Sequence, residues 1–378
     1  MPSLTAFFLA VVLALAGLPA PHSQEQSRSE KKEECGTVIP PEQLAAELTL
    51  DAELARNNSA ALATAPPTGA PYYLPMTIHL VHRSNGTGGL TLGELGVAMR
   101  NLNLMCQQVG IQFFIYGEID HIYDDMHFNV GKVQSKRDAL RKVNVVPNTI
   151  NVYFTDMDGF CGVSSFTADA VQGVLLDVNC LGPVANPSIF AHEIGHYFDL
   201  YHTHETMFGV ECPNGTNCST AGDRLCDTPA DPNLMNEDRR QFRVDANCVY
   251  DDSAATPENC DLTPYKPPTR NLMSYSRPSC ISEFTPQQIA KALQTLRNAG
   301  NRKNLITNGV RYVDPQASDF LSSCTYNFPC RTLGKALQAA KIGDFIFLKS
   351  GPYQASSIGG KRLTLNRWGA AGMVEIVP

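Results

Sequence analysis

Between Ala191 and Glu205 the chain reads AHEIGHYFDLYHTHE, which places four of its nine histidines in one short stretch. On a helix, residues four apart share a face, so His192 and His196 can reach a single ion. A catalytic zinc takes three protein ligands and keeps one position for water. The pKa of that water falls to about 7 in favourable sites. Glu193 stands beside the histidine pair, where a carboxylate can take the proton and pass it to a leaving amine. The third ligand lies off this helical face. His202 reaches the ion if the chain turns sharply after Phe198, and such a turn needs a residue tolerant of positive φ. The residue there is Asp199, which visits that region more readily than most non-glycine residues. His204, Glu205 and Glu211 are the alternative third ligands, and a surface helix with solvated histidines is the reading without a metal.

The elements that must position this stretch read as α/β. MTIHLVH (residues 76–82) alternates and is rich in β-formers, as a strand requires. LTLGELGVAMRNLNLMCQQVG carries Leu92, Leu95, Val97, Leu102 and Met105 at helical spacing. IQFFIYG, INVYFT and GVLLDVN are three further strands. In FTPQQIAKALQTLRNAG, Thr285 is an N-cap, Pro286 suits the first helical position, Gln288 completes a capping box and Gly300 ends the helix. Short apolar strands separated by helices predict a twisted, mostly parallel sheet with helices packed on it over residues 71–305. Gly173–Asn179 is expected to be its edge strand, able to accept an extended substrate.

The chain has 378 residues and a net charge of −7, which gives no electrostatic case for nucleic acid or an anionic membrane. Residues 1–22 hold an apolar run of signal-peptide length, so the mature protein is expected outside the cell, free of the membrane. Residues 23–70 form a polar, then alanine-rich leader, with a short helix within Pro41–Asn58 and a linker from Thr64. Twelve cysteines fit an oxidising compartment. Six lie between Cys212 and Cys280 in a segment rich in Pro, Asn, Asp and Gly. Its weak apolar periodicity predicts an irregular lower subdomain held by cross-links. Four glycosylation sequons occur, at Asn57, Asn85, Asn214 and Asn217.

Residues 310–378 differ in texture. A helix (TLGKALQAAK) leads to the short strand segments GDFIFLKSGPY, RLTLNRW and MVEIVP, which read as stacked coils. PCRTLGKALQAAKIGD and SGPY resemble the first coil of a right-handed parallel β-helix of the pectin-lyase type. Cys324 and Cys330 are close enough in sequence to bridge locally.

Four phrases in order, CGTVIPPEQL, AHEIGHYFDLYHTH, GDRLCDTPADP and NLMSYSRPSCISEFTPQQ, resemble the pappalysin (ulilysin-like) family of metzincin zinc endopeptidases. The resemblance spans Cys35 to Leu296, and the family carries Gly where this chain has Asp199. It implies a metzincin-like catalytic domain with Met273 in a turn beneath the metal. It places Tyr275 near the zinc, where a phenol could donate to a developing oxyanion. It implies that Cys35 is a latency switch, since a thiolate from the leader would fill the open position on zinc; an ordinary disulfide is the alternative. With Cys35 unpaired, one more cysteine must stay reduced, and Cys106 on an apolar helix is the candidate. The resemblance further suggests calcium at Asp223, Asp227 and Thr228. By the same analogy Cys248 joins Cys280, leaving Cys260 for Cys212 or Cys218.

The expected protein is a secreted zinc endopeptidase, made latent, acting on protein or peptide substrates with one catalytic Zn2+ and a possible Ca2+. The rivals are an inactive metal-binding or adhesion module, against which Glu193 argues, and a carbohydrate-directed protein acting through its tail. The tail offers no paired acids for the latter.

Overall fold

The computed structural model describes residues 33–39, a few positions between 44 and 52, and 71–377 apart from short stretches that include 182–186, 237–240 and 306–309. The apolar segment 1–22, most of Pro41–Asn58, the sequon at Asn57 and the linker from Thr64 to Ala70 lie outside the described residues.

One seven-stranded sheet organises residues 33–177. Its strands are β1 (Glu33–Cys35), β2 (Tyr72–His82), β3 (Ile111–Ile115), β4 (Asp120–Tyr123), β5 (Ile150–Thr155), β6 (Phe160–Val163) and β7 (Val174–Asp177). The order is β1-β6-β7-β5-β2, with β3 and β4 both beyond β2. β2 is long enough to pair with β3 through its first half and β4 through its second. All pairings are parallel except β6 with β7.

A parallel sheet must be covered on both faces. Leu74, Met76, Ile78 and Leu80 of β2 point to one face with Val152 and Phe154 of β5. There they meet α1 (Leu92–Cys106), α3 (Ile189–Tyr197) and α4 (Pro286–Asn298). Val81, Tyr153 and Leu175 point the other way, against Leu140 of α2 (Gln134–Leu140). α1 starts at Thr91, whose hydroxyl accepts from the Glu94 N–H while the Glu94 carboxylate accepts from Thr91, a reciprocal capping box. Its buried stripe is Leu95, Ala98, Met99, Leu102 and Cys106. Leu92, expected in that stripe, is the first helical residue and is 63% exposed. Thr285 and Gln288 form the expected capping box on α4.

The expectation for Gly173–Asn179 is corrected. Val174–Asp177 is an interior strand, buried throughout between β5 and β6. The rim strand of this domain is β6, and β1 of the leader lies along its outer side. β6 has four residues, including Cys161 and Gly162, and no apolar alternation marks it in the sequence.

Below α3 the chain from 199 to 285 is irregular, with two two-residue strands, β8 (Met235–Asn236) and β9 (Gln241–Phe242). Three disulfides staple it: Cys212–Cys260, Cys218–Cys226 and Cys248–Cys280. Cys161–Cys180 fastens β6 to the segment after β7, Cys324–Cys330 closes a loop in the tail, and Cys35 and Cys106 stay reduced and buried.

In the tail, β10 (Val310–Val313), β11 (Phe345–Lys349) and β13 (Thr364–Trp368) form one parallel sheet. β12 (Gly351–Gln354) and β14 (Val374–Val377) form a parallel pair. α5 (Leu333–Ala339) packs Leu333 and Leu337 onto Val313, Ile346 and Leu348. An aromatic seam joins this unit to the large sheet: Tyr73 stands 4.3 Å from Phe347 and Phe114 4.5 Å from Phe345, ring centre to ring centre.

Candidate metal centre

Every residue of α3 is buried, so its histidines face a protein interior rather than solvent. The helix ends in a paired cap: the Asp199 N–H donates to the His196 carbonyl (2.8 Å) and the Leu200 N–H to that of Gly195 (3.0 Å). These are the two bonds of a Schellman turn, whose left-handed residue is usually glycine. Asp199 occupies that place with φ of 61°, at a steric cost of about 1 kcal/mol. Its wholly buried carboxylate accepts from the Thr167 N–H (2.8 Å) and the Thr295 hydroxyl (3.2 Å).

The turn carries His202 back beneath the helix. The Nε2 atoms of His192 and His202 lie 3.2 Å apart, those of His192 and His196 3.1 Å, and those of His196 and His202 3.0 Å. Three nitrogens bound to one tetrahedral zinc would be spaced about 3.3 Å, so the near-equilateral triangle fits that ion. Nδ1 of His192 donates to the Leu272 carbonyl (2.6 Å) and Nδ1 of His196 to the Leu200 carbonyl (2.8 Å). Those bonds turn the Nε2 lone pairs inward, as metal-binding imidazoles require. Burial pushes the pKa of His192 down to about 4 and holds His196 and His202 well below the usual range, with neighbouring imidazoles adding to the effect for all three. All three are neutral donors.

Cys35 completes the cluster. Its Sγ and ligand nitrogens of the three histidines all lie within 4.8 Å of one another, and among the described residues this is the sole group of its kind. The leader touches the other candidate groups as well. The Gly36 N–H donates to the Gly162 carbonyl of β6 (2.9 Å). The Thr37 hydroxyl donates to Glu193 Oε2 (3.0 Å) and accepts from the Ser164 N–H (2.8 Å). The Tyr275 hydroxyl donates to the Cys35 carbonyl (2.8 Å). Burial pushes the Glu193 carboxyl up to about 8, with Cys35 and Thr37 opposing. A Cβ at Gly162 would overlap the Glu193 side chain, so glycine there lets the rim strand pass the acid without displacing it.

Met273 is fully buried with its sulfur where a Cβ of Gly195 would stand, which puts a thioether floor under α3. The Tyr275 ring lies 4.8 Å from that of His202. Asp231, which the sequence did not single out as a site residue, ties this floor to the third histidine. Its Oδ2 accepts 2.6 Å hydrogen bonds from the hydroxyls of both Thr203 and Ser274. The phrase GDRLCDTPADP contains it, but nothing in residue spacing distinguishes it from the other acids there.

The alternative third ligands stand elsewhere. His204 stacks on the outside of His202, Glu205 accepts from the N–H groups of Thr206 and Met207, and Glu211 lies beside Asp223 and Asp231. Asp223, Asp227 and Thr228 lie close together: Thr228 hydrogen-bonds to the Asp223 carboxyl, and the Asp227 charge acts on it. Asp223 accepts from the Leu225 N–H, Asp227 from the Gln287 N–H at the start of α4, and Thr228 meets Thr285 at 3.5 Å. Burial pushes Asp223 up to about 7 and Glu211 up to about 8; Asp223 and Asp231 add to the rise at Glu211.

With this geometry in place, likenesses to known proteins are informative. Residues 164–297 match the family Peptidase_M43, described as pregnancy-associated plasma protein-A. An extracellular metalloprotease of Pyricularia oryzae is 28% identical over 68% of this chain and 86% of its own length. One from Neurospora crassa is 27% identical over 75% of this chain and 92% of its own. A promirolysin mutant from Tannerella forsythia shares the fold with a TM-score of 0.50 at 15% identity, covering 72% of this chain and 97% of its own. The matched domain spans α3, its histidines and Met273, and the chemistry of the donor set agrees with it: the chain is a zinc metalloendopeptidase.

Proposed function

We propose that His192, His196 and His202 hold one zinc ion, that Glu193 is the general base, and that the chain is secreted as a latent precursor. The observation that carries this reading is the inward triangle of Nε2 atoms with the Cys35 sulfur closing it. Zinc held there would lower the pKa of a water molecule to about 7 and polarise the scissile carbonyl. Glu193, next to the first histidine on α3, takes a proton from the attacking water and returns it to the leaving nitrogen. Tyr275 donates its hydroxyl to the oxygen that gains charge; the hydrogen bond it gives the Cys35 carbonyl supports that role. Met273 supports the cluster from below.

In the precursor, Cys35 fills the position that water needs, Thr37 holds the base and β1 covers the rim strand. Cleavage within Thr64–Ala70 would release all three, and substrate would then pair with β6 in place of β1. Secretion is supported by the apolar segment at 1–22 and by the extracellular relatives. The buried acids Glu211 and Asp223 support a calcium ion in the lower half, and the parallel pairings β10-β11-β13 and β12-β14 support stacked β-helix-like coils in the tail.

In activated protein, Glu193→Gln retains one zinc per chain by elemental analysis and loses about 10²–10⁴-fold in peptide hydrolysis. Zinc loss, or turnover close to the parent's, contradicts the reading. For latency, the uncleaved Cys35→Ser precursor hydrolyses peptide while the parent precursor does not; two silent precursors rule out the thiol as the switch.

A further inference from the structure

Asp199 raises a question the zinc chemistry does not answer. The Schellman turn after α3 needs a left-handed residue, and glycine meets that need without strain. Nothing in the turn's backbone calls for a carboxylate, yet this one is wholly buried with φ of 61°.

Its two oxygens reach different elements. Oδ1 accepts from the N–H of Thr167, in the loop between β6 and β7, and Oδ2 from the Thr295 hydroxyl on α4. Arg302, equally buried, works beside it. Its guanidinium donates to the carbonyl of Tyr197 at the end of α3 (2.7 Å), to Gln172 Oε1 (2.6 Å) and to the Ser165 carbonyl (3.3 Å). The Arg302 charge also favours the ionised form of Asp199 against the opposing effect of burial. The β6–β7 loop is knit internally by Gln172, which donates to the carbonyls of Phe166 and Asp169, and by Ser165, which accepts from the Gly173 N–H. That loop sets the Phe166 ring edge-on to His196, 5.6 Å between centres.

We propose that Asp199 is a positioning residue. Its carboxylate latches the turn that delivers His202 to the 164–173 loop, so that the loop carrying Phe166 and the third histidine are held as one body. A glycine would build the same turn and leave Arg302 to tie the end of α3 to the loop without the carboxylate. The inference deepens the zinc-peptidase reading in its metal and kinetic arms, while its exchange arm stands apart from that reading.

The test compares Asp199→Gly and Asp199→Asn in the full chain. Glycine suits the backbone, so loss of fold is not the expected result; asparagine keeps an acceptor for the Thr167 N–H. In zinc-free protein, hydrogen exchange read by mass spectrometry should be roughly tenfold faster in peptides covering 164–173 of the glycine variant, with the β2 and β5 peptides unchanged. Zinc affinity, measured against a competing chelator, should fall by about tenfold, and kcat of the activated enzyme should fall with KM nearly constant. The asparagine variant should recover to within about threefold of the parent in each readout. Parent-like exchange in the glycine variant overturns the latch. So does exchange that rises equally across the chain, or an asparagine variant no better than glycine. If exchange in the loop quickens but no zinc binds to any of the proteins, the latch stands and the zinc site fails.

Discussion

Two unlike halves meet at the histidine cluster. Above it, the sheet and its helices bury alternating apolar side chains on both faces. Below it, residues 199–285 contain two dipeptide strands and three disulfides. The upper half supplies His192, His196 and Glu193 on a fully buried helix. The lower half supplies Met273 and Tyr275 from loops. The contrast teaches that one histidine cluster can be framed by apolar burial from one side and by covalent cross-links from the other. Asp231 shows how the loops reach helical precision, since one carboxylate oxygen binds both Thr203 and Ser274.

Three experiments would sharpen or break that contrast. The largest effect is expected in the upper core. Leu102→Ala removes a side chain with no exposure and should cost about 2–5 kcal/mol in denaturant unfolding; a loss below 1 kcal/mol would mean the sheet half does not depend on packing. Next comes the lower half. Replacing Cys212 and Cys260, 48 residues apart, with serine should cost about 4 kcal/mol, and replacing Cys218 and Cys226, 8 apart, about 2.5. Limited proteolysis should then cut between 205 and 283 first, and equal sensitivity in the sheet would erase the distinction. The smallest effect concerns the lower half's acids. Glu211 and Asp223 have folded pKa values raised to about 8 and about 7. Raised carboxyls favour the folded state while protonated, so their contribution is full below their unfolded values near 4 and is lost as pH climbs through 7 to 8. In calcium-free buffer the melting temperature should fall by on the order of 3 °C between pH 5.5 and 8.5. Millimolar calcium should restore it if these acids gather round the ion. A flat profile in both buffers would remove the acids from the account.

What could be read from residues alone follows the same divide. The periodic segments of the upper half announce themselves, because burial on a sheet or helix face imposes a repeat. MTIHLVH, INVYFT and the Thr285–Gln288 cap lie where the sequence puts them. β2 begins at Tyr72, ahead of the MTIHLVH segment that reads as the strand, since Pro75 and the preceding Ala-Pro-Tyr conceal its start. β6 was invisible: its glycine is there to clear Glu193, not to build a strand. Missing β6 also displaced the expected rim of the sheet by one strand. In the lower half almost nothing repeats, and Met273 and Tyr275 were legible only through resemblance. The cysteine pairs were open to analogy because disulfide geometry leaves no trace in local pattern. Cys161–Cys180 went unread for the same reason.

The aromatic seam has a practical consequence. Tyr73 and Phe114 lie on the catalytic sheet and are covered by Phe345 and Phe347 of the tail. A chain cut after Leu305 would keep every residue of the metal centre and yet bare these rings to water. Such a shortened chain should be sticky, prone to self-association and poorly soluble, although its histidine cluster is intact. The tail thus serves as a stopper on the sheet.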